Sequence, residues 1–380
     1  MKENQVMHKP KKIILCGGGT GGHIFPMIAI AEEFKKVNSE NKILFVGSND
    51  RMEMKIIPKY DFPIYGLWIS GIKRSSLILN ILFLGIPFIL KNITLPFKIL
   101  FSVIKSIYIL IKFRPDFVIG FGGYSSGPFL LISHFLNFKT AIQEQNSYPG
   151  LTNKMLSKKV KYLFTAYDKI NNFFSTNTVF NFGNPIRNLK IKSNENAHKY
   201  FGLDSSKKTI LVLGGSLGAK NINEGVLNNI SLIRESSYQV IWQTGKFYYK
   251  NILSKNIKDK KIIIKDFINR MDLAYSVSDI IISRAGAIAI SELCVISKPL
   301  ILVPSPNVVD DHQTKNAKAI SEKGGCVLIK DSDAKNTMLK TAFDLFENKS
   351  KMDSMKKSLS KLSSPNATQK IVNKIYEIIW

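Results

Sequence analysis

An apolar run that ends in glycines and passes straight into a helical pattern occurs twice in this chain, once in each half. Residues 11–23 read Lys-Lys-Ile-Ile-Leu-Cys-Gly-Gly-Gly-Thr-Gly-Gly-His, and Ile24, Ile28, Ala31 and Phe34 follow at helical spacing. Residues 208–219 read Lys-Thr-Ile-Leu-Val-Leu-Gly-Gly-Ser-Leu-Gly-Ala, followed by Ile222, Val226 and Ile230. Glycine is needed where a backbone turns tightly or approaches another group without a Cβ in the way. The helix beyond each turn presents unpaired N–H groups and its positive dipole end, which suits a phosphate. Two such turns imply an α/β chain of two Rossmann-like domains, their parallel sheets facing a central cleft.

A chain of 380 residues, 45% of them hydrophobic, is long for one core and can bury two. Short apolar runs alternate with helical patterns throughout. In the first half they are Ile43–Val46, Ile64–Ile69, Asp116–Gly120, Thr140–Gln143, Tyr162–Phe164 and Thr178–Phe182. In the second they are Ile210–Leu213, Gln239–Gln243, Lys261–Lys265, Asp279–Ser283, Pro299–Val303 and Cys326–Ile329. Such alternation argues for parallel strands covered by helices. Glycine and proline break the pattern at Gly183-Asn184-Pro185, which places the domains at 1–184 and 185–363. A final helical stripe, Ile371, Ile375 and Ile378 within 364–380, is expected to pack back on the first domain.

Cys16, Cys294 and Cys326 form no C-x-x-C pair and no zinc spacing, so they read as reduced, buried thiols of a cytoplasmic protein. Lys and Arg number 54 against 28 Asp and Glu, a net charge of +26. A nucleic acid, an anionic membrane or an anionic substrate would each account for it, while a general drift toward Lys, Ile and Asn explains the excess but not its clustering. Met1–Pro10 has no apolar core and does not resemble a secretory signal.

Residues 72–113 hold the longest apolar stretch. The run Leu77–Leu90 contains Pro87 and would reach only ~21 Å as a helix, short of a ~30 Å hydrocarbon core. The run Ile99–Ile111 is interrupted by Lys105. A surface element fits better than a span, its apolar side flanked by Lys73, Arg74, Lys91, Lys98, Lys105 and Lys112. Residues 72–97, with Leu82, Phe83 and Phe88, are expected to meet an anionic membrane. Ile104, Ile107, Tyr108 and Ile111 have the spacing to pack on their own domain.

Ligands of parallel sheets sit beyond the carboxyl ends of the strands. There the chain carries G-G-T-G-G-H (18–23), G-G-Y-x-S-G-P (122–128), E-Q-N (144–146), N-P-x-R (184–187), G-G-S-x-G-A (214–219), S-R-A-G-A-x-x-x-S-E (283–292) and H-Q-x-x-N-A (312–317). Asp331-Ser-Asp333 is a D-x-D of the kind that can bind a metal diphosphate, but its place before a helical pattern suits an ordinary N-cap. No metal site is expected.

Taken in order along nearly the whole chain, these motifs resemble those of the MurG family, glycosyltransferase family 28, whose fold is GT-B. The chain departs in a longer 72–113 segment and in Leu217, where some relatives carry glutamine. The resemblance implies an inverting, metal-independent transfer of GlcNAc from UDP-GlcNAc to the 4-OH of the MurNAc of lipid I (undecaprenyl-pyrophosphoryl-MurNAc-pentapeptide), with no cofactor. The product, lipid II, serves peptidoglycan synthesis, and through it cell shape and division. The second domain would bind the donor and the first the acceptor. Membrane, UDP-GlcNAc and lipid I are the implied partners and nucleic acid is not; the implied location is the cytoplasmic face of the bacterial inner membrane, as a peripheral protein.

The resemblance also implies roles. Thr20, Gly21 and Gly22 would bind substrate at the first turn. Ser216 would meet the diphosphate, Ile268 the uracil through its backbone, Arg187 the nucleotide and Glu292 the ribose hydroxyls. Ala287, Ile288, Ala289, Ile290, Ser291 and Gln313 would complete the nucleotide and sugar contacts. His23 and Glu144 are both candidates for the base, and Asn146 would orient a sugar. The alternatives are a GT-B transferase of diacylglycerol type or, from another class, a nicotinamide-dependent dehydrogenase. The latter fits poorly, because Gly17–Gly22 is not G-x-G-x-x-G and the second strand lacks a terminal acid, Asp50 coming only later.

Overall fold

The computed structural model describes residues 9–70, 85–174, 178–187 and 196–380. The chain divides into two compact units, Met1–Arg187 with Asn366–Trp380, and Asn188–Pro365. The division falls after Arg187 rather than after Asn184, so the N-P-x-R run belongs entirely to the first unit.

In the first unit the strands are β1 (Lys12–Cys16), β2 (Lys42–Ser48), β3 (Ile64–Leu67), β4 (Phe117–Gly120), β5 (Thr140–Glu144), β6 (Tyr162–Thr165) and β7 (Thr178–Asn181). They form a parallel seven-stranded sheet in the order β3-β2-β1-β4-β5-β6-β7. The second unit has β8 (Thr209–Leu213), β9 (Gln239–Gln243), β10 (Ile262–Lys265), β11 (Ile280–Ser283), β12 (Leu300–Leu302) and β13 (Val327–Leu328). Their order is β10-β9-β8-β11-β12-β13, again all parallel. Helices cover both faces of such sheets, which is why Ile13, Ile14 and Leu15, or Ile210, Leu211 and Val212, are buried without alternation.

Each sheet reverses direction of growth once, between β1 and β4 and between β8 and β11. A crevice opens at such a switch point beyond the strand ends, and both glycine turns stand there. This is the feature that positions the site.

The helix Ala367–Ile379 closes the first unit's core. Ile371, Val372, Ile375 and Tyr376 are buried with Ile13, Phe34 and Phe45. Asn41 Nδ2 donates to the Tyr376 hydroxyl at 2.7 Å, and the Tyr376 and Phe34 rings lie 5.6 Å apart. Burying four such side chains contributes about 1.5–3 kcal/mol each.

The apolar segment differs from its sequence reading. Residues Gly85–Phe113 make a single 29-residue helix running through Pro96, so the run Ile99–Ile111 is not interrupted at Lys105. Its portion Thr94–Phe113 is long and apolar enough to cross a membrane by length and composition. One face is nonetheless committed to the protein: Ser102, Ser106, Ile109 and Leu110 are buried, and Ser102 Oγ donates to the Trp68 carbonyl at 3.1 Å. The other face exposes Phe97, Leu100, Phe101, Ile104, Tyr108 and Ile111, six apolar side chains at helical spacing. Lys73, Arg74, Leu82 and Phe83 lie outside the described residues.

All three cysteines are free and buried. Burial pushes the Cys294 and Cys326 thiols up to about 12 and Cys16 further still, which leaves them without thiolate at neutral pH.

Candidate functional site

In the first unit the loops after β1 and β4 touch. A Cβ on Gly123, whose φ is +85°, would stand 2.5 Å from the Gly18 carbonyl oxygen, so only glycine permits the contact. Thr20 caps the helix Gly21–Val37 in extended conformation, and its carbonyl accepts the backbone N–H of His23 and of Ile24. Gly21, Gly22 and His23 form the first turn, half-buried. His23 Nδ1 lies 2.7 Å from the Gly18 carbonyl oxygen. A carbonyl only accepts, so Nδ1 carries the proton and the neutral ring keeps Nε2 as its acceptor. That Nε2 faces Gly122, at which a Cβ would come within 3.1 Å.

Glu144 is placed differently from a base. It ends β5 at 1% exposure. Its Oε1 accepts from the Asn146 backbone at 3.0 Å and from Asn146 Nδ2 at 3.1 Å. Its Oε2 accepts from the Gly150 backbone at 3.0 Å and from Asn153 Nδ2 at 2.7 Å. Four donors occupy both oxygens, so the carboxylate organises loop 144–150 and holds Asn146 instead of facing a substrate proton. Glu144→Gln should then cost about 1–3 kcal/mol of stability, because an amide N–H₂ replaces an accepting oxygen among donors. Turnover of the folded variant should stay within about tenfold, against the 10²–10⁴ that loss of a general base costs. A melting curve and kcat on the same preparation check both.

The same loop is tied from below. Gln143 Nε2 donates to Asn184 Oδ1 at 3.0 Å, and Asn184 Nδ2 donates to the Gln145 carbonyl at 2.9 Å. The E-Q-N and N-P-x-R motifs are thus one buried network, and Asn184 serves it structurally. Arg187 is exposed at the end of this unit.

In the second unit the turn after β8 has positive φ at Gly215 (+84°) and Gly218 (+91°) and leaves Ser216 exposed. It interlocks with the turn after β9: Lys246 N–H donates to the Ser216 carbonyl at 3.3 Å, and the Tyr248 ring lies against Gly218. Across the switch point, the helix Ala287–Ile296 begins at Gly286, where an added Cβ would meet nothing. Two glycine-lined helix starts therefore converge on one crevice, an arrangement whose N–H dipoles are able to neutralise a bound anion such as a diphosphate.

The loops around this crevice are held by side chains. Gln313 Oε1 accepts from Ala285 N–H at 3.2 Å and Ser305 N–H at 2.8 Å. Arg284 NH1 donates to the Val303 and Pro304 carbonyls and pairs with Asp331 at 2.5 Å. Asn221 Nδ2 donates to the other Asp331 oxygen at 2.6 Å. Asp331 is therefore occupied within its own unit, and Asp333 stands as N-cap residue of the helix Ala334–Glu347. Among the described residues no three His, Cys, Asp or Glu side chains stand together to hold a metal.

Of the expected nucleotide contacts, Ile268 donates its N–H to Gln243 Oε1 at 3.0 Å, so recognition by its backbone would run through the carbonyl. Ile290 is 1% exposed and belongs to the core, and the Ser291 hydroxyl donates to the Ala287 carbonyl within the helix. Ile288 and Ala289 are half-buried, Ala287 is buried at the helix start, and Glu292 is half-buried with the Tyr275 hydroxyl 3.4 Å away.

Sequence reasoning missed three contributors. Asn153 holds Glu144; Gly245 makes room for the turn after β8; and Glu53, fully buried, accepts the Gly19 N–H at 2.9 Å beneath the first turn. None lies in a glycine motif.

Comparison with known proteins adds ancestry. Residues 13–165 match the glycosyltransferase family 28 N-terminal domain, and residues 209–371 match the C-terminal domain of that family. A protein of Cytophaga hutchinsonii is 44% identical over 374 residues, covering 98% of each chain, and is named UDP-N-acetylglucosamine--N-acetylmuramyl-(pentapeptide) pyrophosphoryl-undecaprenol N-acetylglucosamine transferase. One of Flavobacterium psychrophilum with the same name is 45% identical over 372 residues, covering 97% of this chain and 98% of that one. Among solved structures, MurG of Acinetobacter baumannii superposes with a TM-score of 0.76 at 28% identity, covering 97% of this chain and 100% of that one. A UDP-GlcNAc 2-epimerase of Neisseria meningitidis shares the fold alone, with a TM-score of 0.65 at 15% identity and coverage of 96% and 100%.

Proposed function

The chain belongs to glycosyltransferase family 28, and from that premise we propose that it transfers N-acetylglucosamine from UDP-GlcNAc to lipid I. The observation that carries this reading is 44% identity to a transferase of that name across 98% of both chains. The site chemistry agrees with it. The acceptor's 4-hydroxyl oxygen attacks the anomeric carbon of GlcNAc as the bond from that carbon to the β-phosphate oxygen breaks. The electron pair leaves on UDP, and the hydroxyl proton passes to His23 Nε2. Backside attack inverts the anomeric centre.

The donor lies on the second unit. Its diphosphate meets Ser216 and the N–H groups around Gly214–Gly218 and Ala287. Uracil N3–H faces the Ile268 carbonyl, and Glu292 accepts from the ribose hydroxyls. The acceptor lies on the first unit, where Thr20, Gly21 and Gly22 line the helix start and Asn146 is held by Glu144. Ile288, Ala289 and Gln313, all in the second unit, bound the nucleotide and sugar.

The assay supplies UDP-GlcNAc with a short-chain lipid I analogue. A β-1,4 disaccharide lipid is the expected product. Accumulation of N-acetylmannosamine instead would assign epimerase chemistry, which the shared fold permits.

A lipid acceptor requires approach to a bilayer, and the exposed face of the helix Gly85–Phe113 supports one. Phe101 packs near Trp68 with ring centroids 5.8 Å apart, Lys98 Nζ lies 5.7 Å from the Trp68 ring, and Lys98, Lys105 and Lys112 recur every seven residues. Apolar side chains beside cations suit the cytoplasmic, anionic leaflet of the inner membrane. Leu100→Glu with Ile104→Glu should reduce binding to anionic vesicles by more than about tenfold, since each buries less apolar area and repels the surface. Unchanged sedimentation with vesicles counts against this face.

A further inference from the structure

The peptide unit joining Gly18 to Gly19 is held at both ends. Its carbonyl oxygen lies 2.7 Å from His23 Nδ1, and its N–H donates to Glu53 Oε2 at 2.9 Å. Glu53 is 0% exposed, and its other oxygen accepts the Ser48 N–H at 3.0 Å. Space for the carboxylate is built into the backbone on two sides. A Cβ on Gly18 would stand 2.1 Å from Oε1, and one on Gly47 would stand 2.5 Å from Cγ. These contacts bury a charge directly beneath the turn that carries the candidate base.

We propose that Glu53 is a positioning residue for His23, acting through this single peptide unit. The carboxylate draws on the Gly19 N–H and polarises the amide, so the Gly18 carbonyl becomes a stronger acceptor; hydrogen bonds in series reinforce one another in this way. The strengthened carbonyl fixes the proton of neutral His23 on Nδ1 and turns Nε2 toward Gly122 as acceptor. When Nε2 takes the hydroxyl proton, the imidazolium keeps its Nδ1–H on the Gly18 oxygen, whose partial charge Glu53 has deepened. Glu53 gains no proton, and the same number of protons stands on each side of the step. The chain thus places a peptide bond between carboxylate and imidazole, where many catalytic pairs have direct contact. This inference rests on the reading of His23 as the proton acceptor.

A carboxylate that merely tethered the short helix Glu53–Ile56 would give a different result, and histidine tautomers separate the two. The test uses the full chain labelled with ¹⁵N in its five histidines, with His23 assigned by its loss in His23→Gln. Long-range ¹H–¹⁵N spectra above the imidazole titration should show wild-type His23 as the Nδ1–H form. Glu53→Gln should give mixed tautomers and a kcat lowered at least about tenfold, with the KM for UDP-GlcNAc unchanged. Ile57→Ala, a loss in the core beside the same helix, should lower the melting temperature and leave tautomer and kcat alone. Should Glu53→Gln fail to fold, Glu53→Asp withdraws the carboxylate from Gly19 while keeping its charge, and the same two changes are expected. A wild-type His23 protonated at Nε2 overturns the proposal, as does a folded Glu53 variant with wild-type tautomer and kcat. So does an Ile57→Ala protein that loses tautomer and rate equally. If wild type makes no disaccharide lipid yet shows the expected tautomer and its loss in Glu53→Gln, the functional reading fails and the coupling of Glu53 to His23 stands.

Discussion

His23→Ala lowers kcat by about 10²–10⁴-fold, the range expected for removal of a positioned general base. The KM for UDP-GlcNAc stays within about twofold, because a base that takes the acceptor's proton acts in the transition state and not in donor binding. The expectation follows from geometry: Nδ1 is spent on the Gly18 carbonyl at 2.7 Å, so Nε2 alone remains to accept a proton. Glu144 cannot take over, with both its oxygens already accepting from four donors. Single-turnover rates with lipid acceptor separate the chemical step from product release. Near-normal single-turnover rates in His23→Ala would remove the histidine from the reaction.

Gly245→Ala has the other large expected effect, and it falls on the donor. Gly245 adopts φ +79° and ψ 151°, a region open essentially to glycine. A methyl group there would stand 2.1 Å from the Gly218 nitrogen and 2.5 Å from the Leu217 carbonyl carbon. Both are backbone atoms, so no rotamer change relieves the collision. The turn that holds Ser216 must move. We expect a loss of about 3 kcal/mol or more from strain and displacement together, a drop of roughly 10 °C in the unit's melting temperature. Calorimetric titration with UDP should show affinity down at least about tenfold, at a temperature where the variant remains folded. An unchanged UDP affinity would detach this turn from donor binding.

Much of this architecture could be read from residues alone. Parallel strands buried on both faces stand out as apolar runs, and each expected run, from Ile43–Val46 to Cys326–Ile329, overlaps a strand. Glycine turns are equally legible, since positive φ at Gly122, Gly215 or Gly218 leaves little choice of residue. What stayed hidden depends on contacts distant in sequence. Glu53 reads as an ordinary acid opening a short helix, and only the fold brings it beneath Gly19, 34 positions away. The E-Q-N motif reveals that Glu144 matters but not that Asn153 and Gly150 consume it. The sequence divides the helix Gly85–Phe113 because Lys105 looks like an interruption, yet the helix runs on through both that lysine and Pro96. One proline forfeits about 3 kcal/mol, which a long helix with a buried side can absorb.

The helix Ala367–Ile379 belongs to the first unit, yet residues 188–365 separate it from the rest of that unit along the chain. A ribosome therefore releases the first unit's strands with Ile13, Phe34 and Phe45 still partly uncovered, and synthesises the whole second unit before the missing piece emerges. Completion of the first unit is in this way deferred until the second has been synthesised. A nascent chain stalled short of residue 366 carries an unfinished apolar surface, a ready target for chaperones, however well its second half has already folded.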